Sequence, residues 1–479
     1  MRFKSNIGAL DDILKGGFIK GASYLLKGHP GTGKTVLTNE IAFRHASNGG
    51  RVLYLSGLAE GNEAFLEHLK AFDWFDQNAP NKSIYYYSLL SMVNPDEGLE
   101  SFTQNLTELL SKLEVSMLVI DSLQTFDPLP FELDEVRIMV NKVKAAARIL
   151  DITLFVLQTP NITVQDRHQE QADLDGIISL SVSCFQQKRV RKIEVLKLRG
   201  SDYLLGPHSF KISDSGCSFF PRLEVYYRDP LRVTSDVLTK SKVGIEKLDA
   251  MLGGGLVKGS MTSLLGAPGT GKTSIGVQFL CEGAQEKESC MYFGFYETIQ
   301  RLSTKMDGLS IPLKKFIDEG YIKYVWQPVL ENDLDELAER LLDQVEEHKV
   351  TRLFIDGIDG FKFATDHPNR IFSFWASLCN ELRSREVTVI FSEELGVFQS
   401  TKNTGERELA AIIENIVYLG YVEHKNSLER FLSILKVREG NYDPQYKKFT
   451  MNSNGLDLAN FDRDLRLFRH GTYMEQTHG

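Results

Sequence analysis

The segment LDDILKGGFIKGASYLLKGHPGTGKT, Leu10 to Thr35, recurs without a gap 238 residues later as LDAMLGGGLVKGSMTSLLGAPGTGKT, Leu248 to Thr273. Whatever packing suits this unit must therefore be satisfied twice, with two cores of one architecture. The repeat continues in order and at similar spacing. SMLVIDSLQTF (Ser116 to Phe126) answers TRLFIDGIDGF (Thr351 to Phe361), and IEVLKLRGSDY (Ile193 to Tyr203) answers LSILKVREGNY (Leu432 to Tyr442). A length of 479 residues suits this reading, because one hydrophobic core rarely grows that large. We expect a first domain over residues 1–228, a linker over 229–240 opened by the turn signal Asp229-Pro230, a second domain over 241–456, and a C-terminal tail over 457–479.

Each unit alternates short apolar runs with amphipathic ones. In the first, SYLLKG, RVLYLSG, MLVID and ITLFVLQ read as strands, with KTVLTNEIAFRHAS, NEAFLEHLKAF and DEVRIMVNKVKAAARIL as helices between them. Near-continuous apolar strands imply a mostly parallel sheet covered by helices on both faces, an α/β fold. The later IISLSVSCFQ and RKIEVLKLRG read as an antiparallel addition at the sheet's edge.

Charge narrows the partners. A formal net charge of −9 gives no global attraction to nucleic acid or to an anionic membrane. The densest basic stretch, FQQKRVRK (Phe185 to Lys192), reads as a solvated hairpin turn in preference to a nucleic-acid contact. The five cysteines are scattered and lack a C-x-x-C pair, so neither a disulfide framework nor a zinc site is expected. With no apolar run approaching ~20 residues, the expected setting is the cytoplasm, without a membrane anchor.

The pattern G-x-x-x-x-G-K-[ST] is met by Gly28-His29-Pro30-Gly31-Thr32-Gly33-Lys34-Thr35 and by Gly266-Ala267-Pro268-Gly269-Thr270-Gly271-Lys272-Thr273. Glycines let backbone N–H groups wrap a phosphate at the positive end of the following helix. The lysine reaches the β- and γ-phosphates, and the threonine hydroxyl ligates Mg²⁺. Such a P-loop also needs an acidic residue at the end of a neighbouring strand to hold the metal's water shell. Asp121, closing LVID, and Asp356, closing LFID, stand there. The expected ligands are thus ATP and Mg²⁺, with Thr35, Asp121, Thr273 and Asp356 at the metal. A Gly-rich turn without a ligand, and an aspartate that only caps a loop, are the plainer alternatives.

Hydrolysis further requires a group to orient or deprotonate water, usually a carboxylate after the strand beside the P-loop. The second copy offers Glu297 in YFGFYET; the first offers Glu60, displaced, in YLSGLAEG. Hydrolysis is therefore better supported in the second copy.

With these pieces in place, the chain resembles the KaiC family of double-domain, RecA-like ATPases of circadian clocks over nearly its whole length. The most specific matches are the lead-in glycines (Gly16, Gly17, Gly21 and Gly254, Gly255, Gly259) and the late LKLRG and LKVREG strands. The resemblance implies two tandem RecA-like P-loop domains and a homo-oligomer, a hexamer, with nucleotides between subunits. It implies a KaiB-like or other signalling protein as partner. It also implies that Lys197, Arg199, Lys436 and Arg438 reach the γ-phosphate bound by a neighbouring subunit, and the spacing of two puts each pair of cations on one face of a strand.

The departures are specific. The family's adjacent paired glutamates are replaced by Tyr296-Glu297 and a shifted Ala59-Glu60, and its adjacent Ser/Thr phosphorylation sites fall on Ala410 and Ala411. The tail is short and unlike the family's regulatory extension, so timekeeping is not expected. Thr401 and Thr404 remain as upstream hydroxyls on an expected loop. A RecA-type DNA motor, which the acidic charge argues against, and a scaffold that binds nucleotide without hydrolysing it are the alternatives from other classes.

Overall fold

The computed structural model describes residues 1–57, 62–93, 98–127, 129–160, 174–185, 188–228, 239–329, 332–365, 367–395, 409–424 and 427–461. Glu60, Thr401, Thr404, most of the expected linker and the tail beyond 461 lie outside them. The chain divides into two compact units, Met1–Tyr226 and Tyr227–Gly479.

In the first unit a short antiparallel ribbon of β1 (Arg2–Phe3) and β2 (Phe18–Ile19) precedes a nine-stranded sheet. The sheet holds β3 (Ser23–Lys27), β4 (Val52–Ser56), β5 (Ile84–Ser88), β6 (Met117–Asp121), β7 (Thr153–Gln158), β8 (Gly176–Phe185), β9 (Lys188–Leu198), β10 (His208–Ser213) and β11 (Gly216–Phe220). Their order is β11-β10-β9-β8-β3-β7-β6-β4-β5; the pairs from β5 to β8 are parallel and those from β8 to β11 antiparallel. The basic stretch expected at a turn lies on the β8–β9 hairpin, where Phe185 pairs with Lys188.

The two-residue period of a strand explains the layers. Tyr24, Tyr54, Val119 and Phe155 bury on one face with Leu37 and Ile41 of the helix Lys34–Ser47. Leu25, Leu53, Leu118 and Val156 bury on the other with Phe102 and Leu106 of Gly98–Lys112 and Val143 of Leu133–Ile149. Each such fully buried side chain contributes roughly 1.5–3 kcal/mol of apolar transfer, which is why all these parallel strands are apolar on both faces.

The second unit repeats the plan. After a ribbon of β12 (Lys240–Ser241) and β13 (Leu256–Val257) come β14 (Met261–Gly266), β15 (Cys290–Gly294), β16 (Ile322–Trp326), β17 (Arg352–Asp356), β18 (Thr388–Glu394), β19 (Asn415–His424), β20 (Ser427–Val437), β21 (Lys447–Asn452) and β22 (Gly455–Ala459). Their order, β16-β15-β17-β18-β14-β19-β20-β21-β22, reproduces the first sheet strand for strand. These are two tandem RecA-like α/β domains, with the P-loop strand (β3 or β14) central and the aspartate strand (β6 or β17) two places away.

All five cysteines are free thiols. Among the described residues no helix is long and apolar enough to cross a membrane, and no group of three or more His, Cys, Asp or Glu is placed to hold a metal ion.

Candidate functional site

Both P-loops start where the central strand ends. Thr32 Oγ1 donates to the His29 carbonyl at 2.8 Å, and Thr270 Oγ1 donates to the Ala267 carbonyl at the same distance, so each loop is closed by its own threonine. Gly33 and Gly271 then take φ of +101° and +106° to turn the chain into the helices Lys34–Ser47 and Lys272–Gln285. A Cβ at Gly33 would lie 2.6 Å from Ile212 Cδ1 of β10, and one at Gly271 would lie 2.6 Å from both Met451 Sδ and Phe449 Cε1 of β21. The antiparallel edge of each sheet therefore reaches the P-loop and packs against its last glycine.

Lys34 Nζ donates to the carbonyls of Gly28 at 2.5 Å and His29 at 3.2 Å, and Lys272 Nζ to those of Gly266 at 2.8 Å and Ala267 at 2.9 Å. Burial lowers the pKa of both ammonium groups. Asp121 opposes this in the first copy; Glu394, Asp356 and Asp359 all oppose it in the second. The second lysine thus sits in a more acidic field.

The strand-end aspartates, expected with the P-loop threonines at a metal, accept hydrogen bonds from them here. Thr35 Oγ1 donates to Asp121 Oδ2 at 2.9 Å, and Thr273 Oγ1 donates to Asp356 Oδ1 at 3.2 Å. Hydroxyl and carboxylate are hard oxygen donors, and a buried carboxylate beside a P-loop fits Mg²⁺. Each aspartate has a further donor that sequence reasoning missed: Tyr54 Oη to Asp121 Oδ2 and Tyr292 Oη to Asp356 Oδ2, both at 2.8 Å. The signal was present, since Tyr54 and Tyr292 are 238 residues apart, the offset of the repeat itself. Ser392 Oγ adds a donor to Asp356 Oδ1 at 2.8 Å. Burial raises the pKa of both carboxyls, and these hydroxyl donors pull it back.

Glu297 lies just beyond β15. Its Oε1 is 3.0 Å from Lys305 Nζ, and its backbone carbonyl accepts the Tyr324 hydroxyl at 2.6 Å. It follows the end of β15, whose Gly294 pairs with Asp356, and its charge raises the pKa of that aspartate. Beside it Tyr296 packs against Gly357, the residue after Asp356.

The late cations stand at strand ends. β9 stops at Leu198 and β20 at Val437, so Arg199 and Arg438 each lie one residue past a strand. Strict alternation is interrupted, because the register shifts between Ile177 and Ile178 and between Ile416 and Val417, leaving Leu196 and Leu435 as bulged residues. The Tyr203 and Tyr442 hydroxyls donate to the Leu196 and Leu435 carbonyls, each at 3.3 Å, so the same bond serves both bulges. In the second copy Lys436 Nζ donates to the carbonyls of Ala410 at 2.6 Å and Ile413 at 2.7 Å, and Arg438 Nη2 to that of Ala411 at 2.7 Å. Both cations thus converge on the alanine pair.

A family model described as "ATPase: KaiC" matches residues 3–224 and again 241–461. The circadian clock oscillator protein KaiC of Picosynechococcus sp. is 24% identical over 475 residues, covering 97% of this chain and 90% of that protein. The circadian clock protein KaiC3 of Synechocystis sp. is 23% identical over 491 residues, covering 99% and 94%.

Proposed function

The chain belongs to the KaiC ATPase family through both of its repeats, and from that premise we propose that it is an ATP-binding, ATP-hydrolysing ring protein of the cytoplasm that acts through protein partners. Residues 1–228 and 241–456 are its two nucleotide modules. The observation that carries the reading is one arrangement made twice: a desolvated P-loop lysine near a strand-end aspartate, half-buried in the first copy and buried in the second, that accepts the P-loop threonine hydroxyl.

Bound Mg²⁺ would supply charge neutralisation between the phosphates, held by Thr35 with Asp121 and by Thr273 with Asp356. The chain's own groups do the rest. Backbone N–H groups of residues 28–35 and 266–273 hold the phosphate oxygens. Lys34 and Lys272 exchange their carbonyl partners for β- and γ-phosphate oxygens. Glu297, with Glu60 as the first copy's displaced counterpart, orients water for in-line attack. Lys197 with Arg199, and Lys436 with Arg438, serve the neighbouring subunit's nucleotide in a hexamer. Alanine has no hydroxyl to phosphorylate, so Ala410 and Ala411 offer no acceptor for an autokinase cycle, and the partner, KaiB-like or otherwise, responds to nucleotide state alone.

Phosphate release from purified variants tests this. Lys272→Ala should lower turnover more than Lys34→Ala, while Lys34→Ala should weaken ATP-dependent assembly measured by light scattering. An equal or greater loss of turnover from Lys34→Ala would reverse the ranking of the two copies.

A further inference from the structure

The second copy holds more carboxylates at its P-loop than its mechanism has so far used. β18 lies between the P-loop strand β14 and the aspartate strand β17, and its last two residues are Glu393 and Glu394. Glu393 pairs with Leu265, and Glu394 with Gly266, the first glycine of the P-loop. Gly266 also supplies the carbonyl that holds Lys272 Nζ and a carbonyl for the Leu395 N–H at 3.2 Å. Glu394 is therefore anchored across from the root of the phosphate loop.

A proton acceptor must be ionised, reachable by water and uncommitted to a cation. Glu297 Oε1 is engaged by Lys305 at 3.0 Å. Glu393 is buried, with Oε1 3.5 Å from Lys362 Nζ, and that ammonium also lies 3.0 Å from Asp359 Oδ1. Asp356 is filled by three hydroxyl donors. Tyr296 is a phenol whose pKa is raised by burial and by Asp359, Glu394 and Asp356, so it keeps its proton at neutral pH. Of the carboxylates in this group, Glu394 alone is exposed and accepts no side-chain hydrogen bond from the described residues.

We infer that Glu394 is the proton acceptor for the water that attacks ATP in the second repeat. The inference rests on the hydrolytic reading above and adds the base to it. The water oxygen bonds to the γ-phosphorus and its proton passes to the Glu394 carboxylate. The bond from that phosphorus to the β–γ bridging oxygen breaks, its electron pair staying on ADP, and the proton then leaves Glu394 for the released phosphate or solvent. Glu297 keeps the orienting part. The first copy has no equivalent: Gln158 and Thr159 occupy the matching positions, and Thr159 exchanges hydrogen bonds with the Gln124 amide through its N–H and carbonyl at 3.2 and 2.7 Å.

The test is phosphate release from full-length chains with ATP and Mg²⁺, taking the wild-type rate minus the Lys272→Ala rate as the second copy's share. Glu394→Gln should lower that share by about 100-fold or more, while ATP affinity, read by fluorescent-nucleotide titration, stays within about three-fold of wild type. Glu394→Ala should regain part of it on addition of formate, a small carboxylate that can take the proton; a structural role would not respond. Normal turnover in Glu394→Gln, loss explained by weaker ATP binding, or no response of Glu394→Ala to formate would each overturn the assignment while leaving the hydrolytic reading intact. Equal rates for wild type and Lys272→Ala would instead remove hydrolysis from the second copy, and this inference with it.

Discussion

At Asp356 burial and hydrogen bonding act in opposite directions on a single carboxyl. Burial raises its pKa above the ordinary aspartate range despite hydroxyl donors from Ser392, Tyr292 and Thr273. The folded protein therefore holds this proton more tightly than the unfolded chain. The stability it contributes is full below the ordinary aspartate pKa and is lost as pH rises through the raised one. Where this carboxyl ionises, its buried charge is a cost that a Mg²⁺ ion at the site would offset. Asp356→Asn, which keeps a partner for each hydroxyl, should raise the metal-free unfolding midpoint of the second unit by about 2–4 °C per kcal/mol relieved, while removing Mg²⁺-dependent nucleotide binding. Calorimetry with and without Mg²⁺ and ATP checks both; a lower midpoint without metal would show that the carboxylate is stabilising as it stands. The hydroxyl partners Tyr292 and Ser392 were not evident from local pattern, because a buried tyrosine in an apolar strand reads as core until the neighbouring strand is known.

At the level of elements, the turn from P-loop to helix depends on a strand far away in sequence. Gly271 needs a left-handed backbone and also closes against Phe449 and Met451. Gly271→Ala should cost about 2–4 kcal/mol, from backbone strain and from overlap with the antiparallel edge. We expect the melting temperature of the second unit to fall by roughly 5–10 °C and ATP binding to be lost. Lys272→Ala, one residue on, should lose binding with little change in melting. Equal melting in the two variants would mean that β21 yields without resistance. The glycine was legible in the motif; its contact with β21 was not, since nothing local ties residue 271 to 449.

At the scale of the whole molecule, the trans assignment of the late cations makes an assembly-level claim. If Arg438 completes an adjacent subunit's site, mixing Arg438→Ala chains with Lys272→Ala chains creates interfaces where an intact Lys272 faces an intact Arg438. These should recover part of the phosphate release that each variant lacks alone. Arginine fingers contribute on the order of 10³ to 10⁵ in rate where chemistry limits, and a slow conformational step compresses that gain. No recovery, with subunit exchange shown independently by fluorescence transfer, would count against a shared site. The contacts of Lys436 and Arg438 with the carbonyls of residues 410–413 give the experiment a second arm. A change in the exposure of that segment on adding ATP, read by hydrogen exchange, would mark the cations leaving their resting partners.

The sequence by itself determined the duplication, the parallel α/β units, both P-loops and both strand-end aspartates. Each is written in local pattern: spacing of glycines, apolar period, and an acidic residue ending an apolar run. The tertiary structure decided what depends on strands meeting across the sheet. It set Tyr54 and Tyr292 on the aspartates, ended β9 and β20 short of Arg199 and Arg438, and placed Glu394 opposite Gly266. Strand order joins residues more than a hundred positions apart, and no local period encodes which of two carboxylates will find a lysine and which will be left facing water.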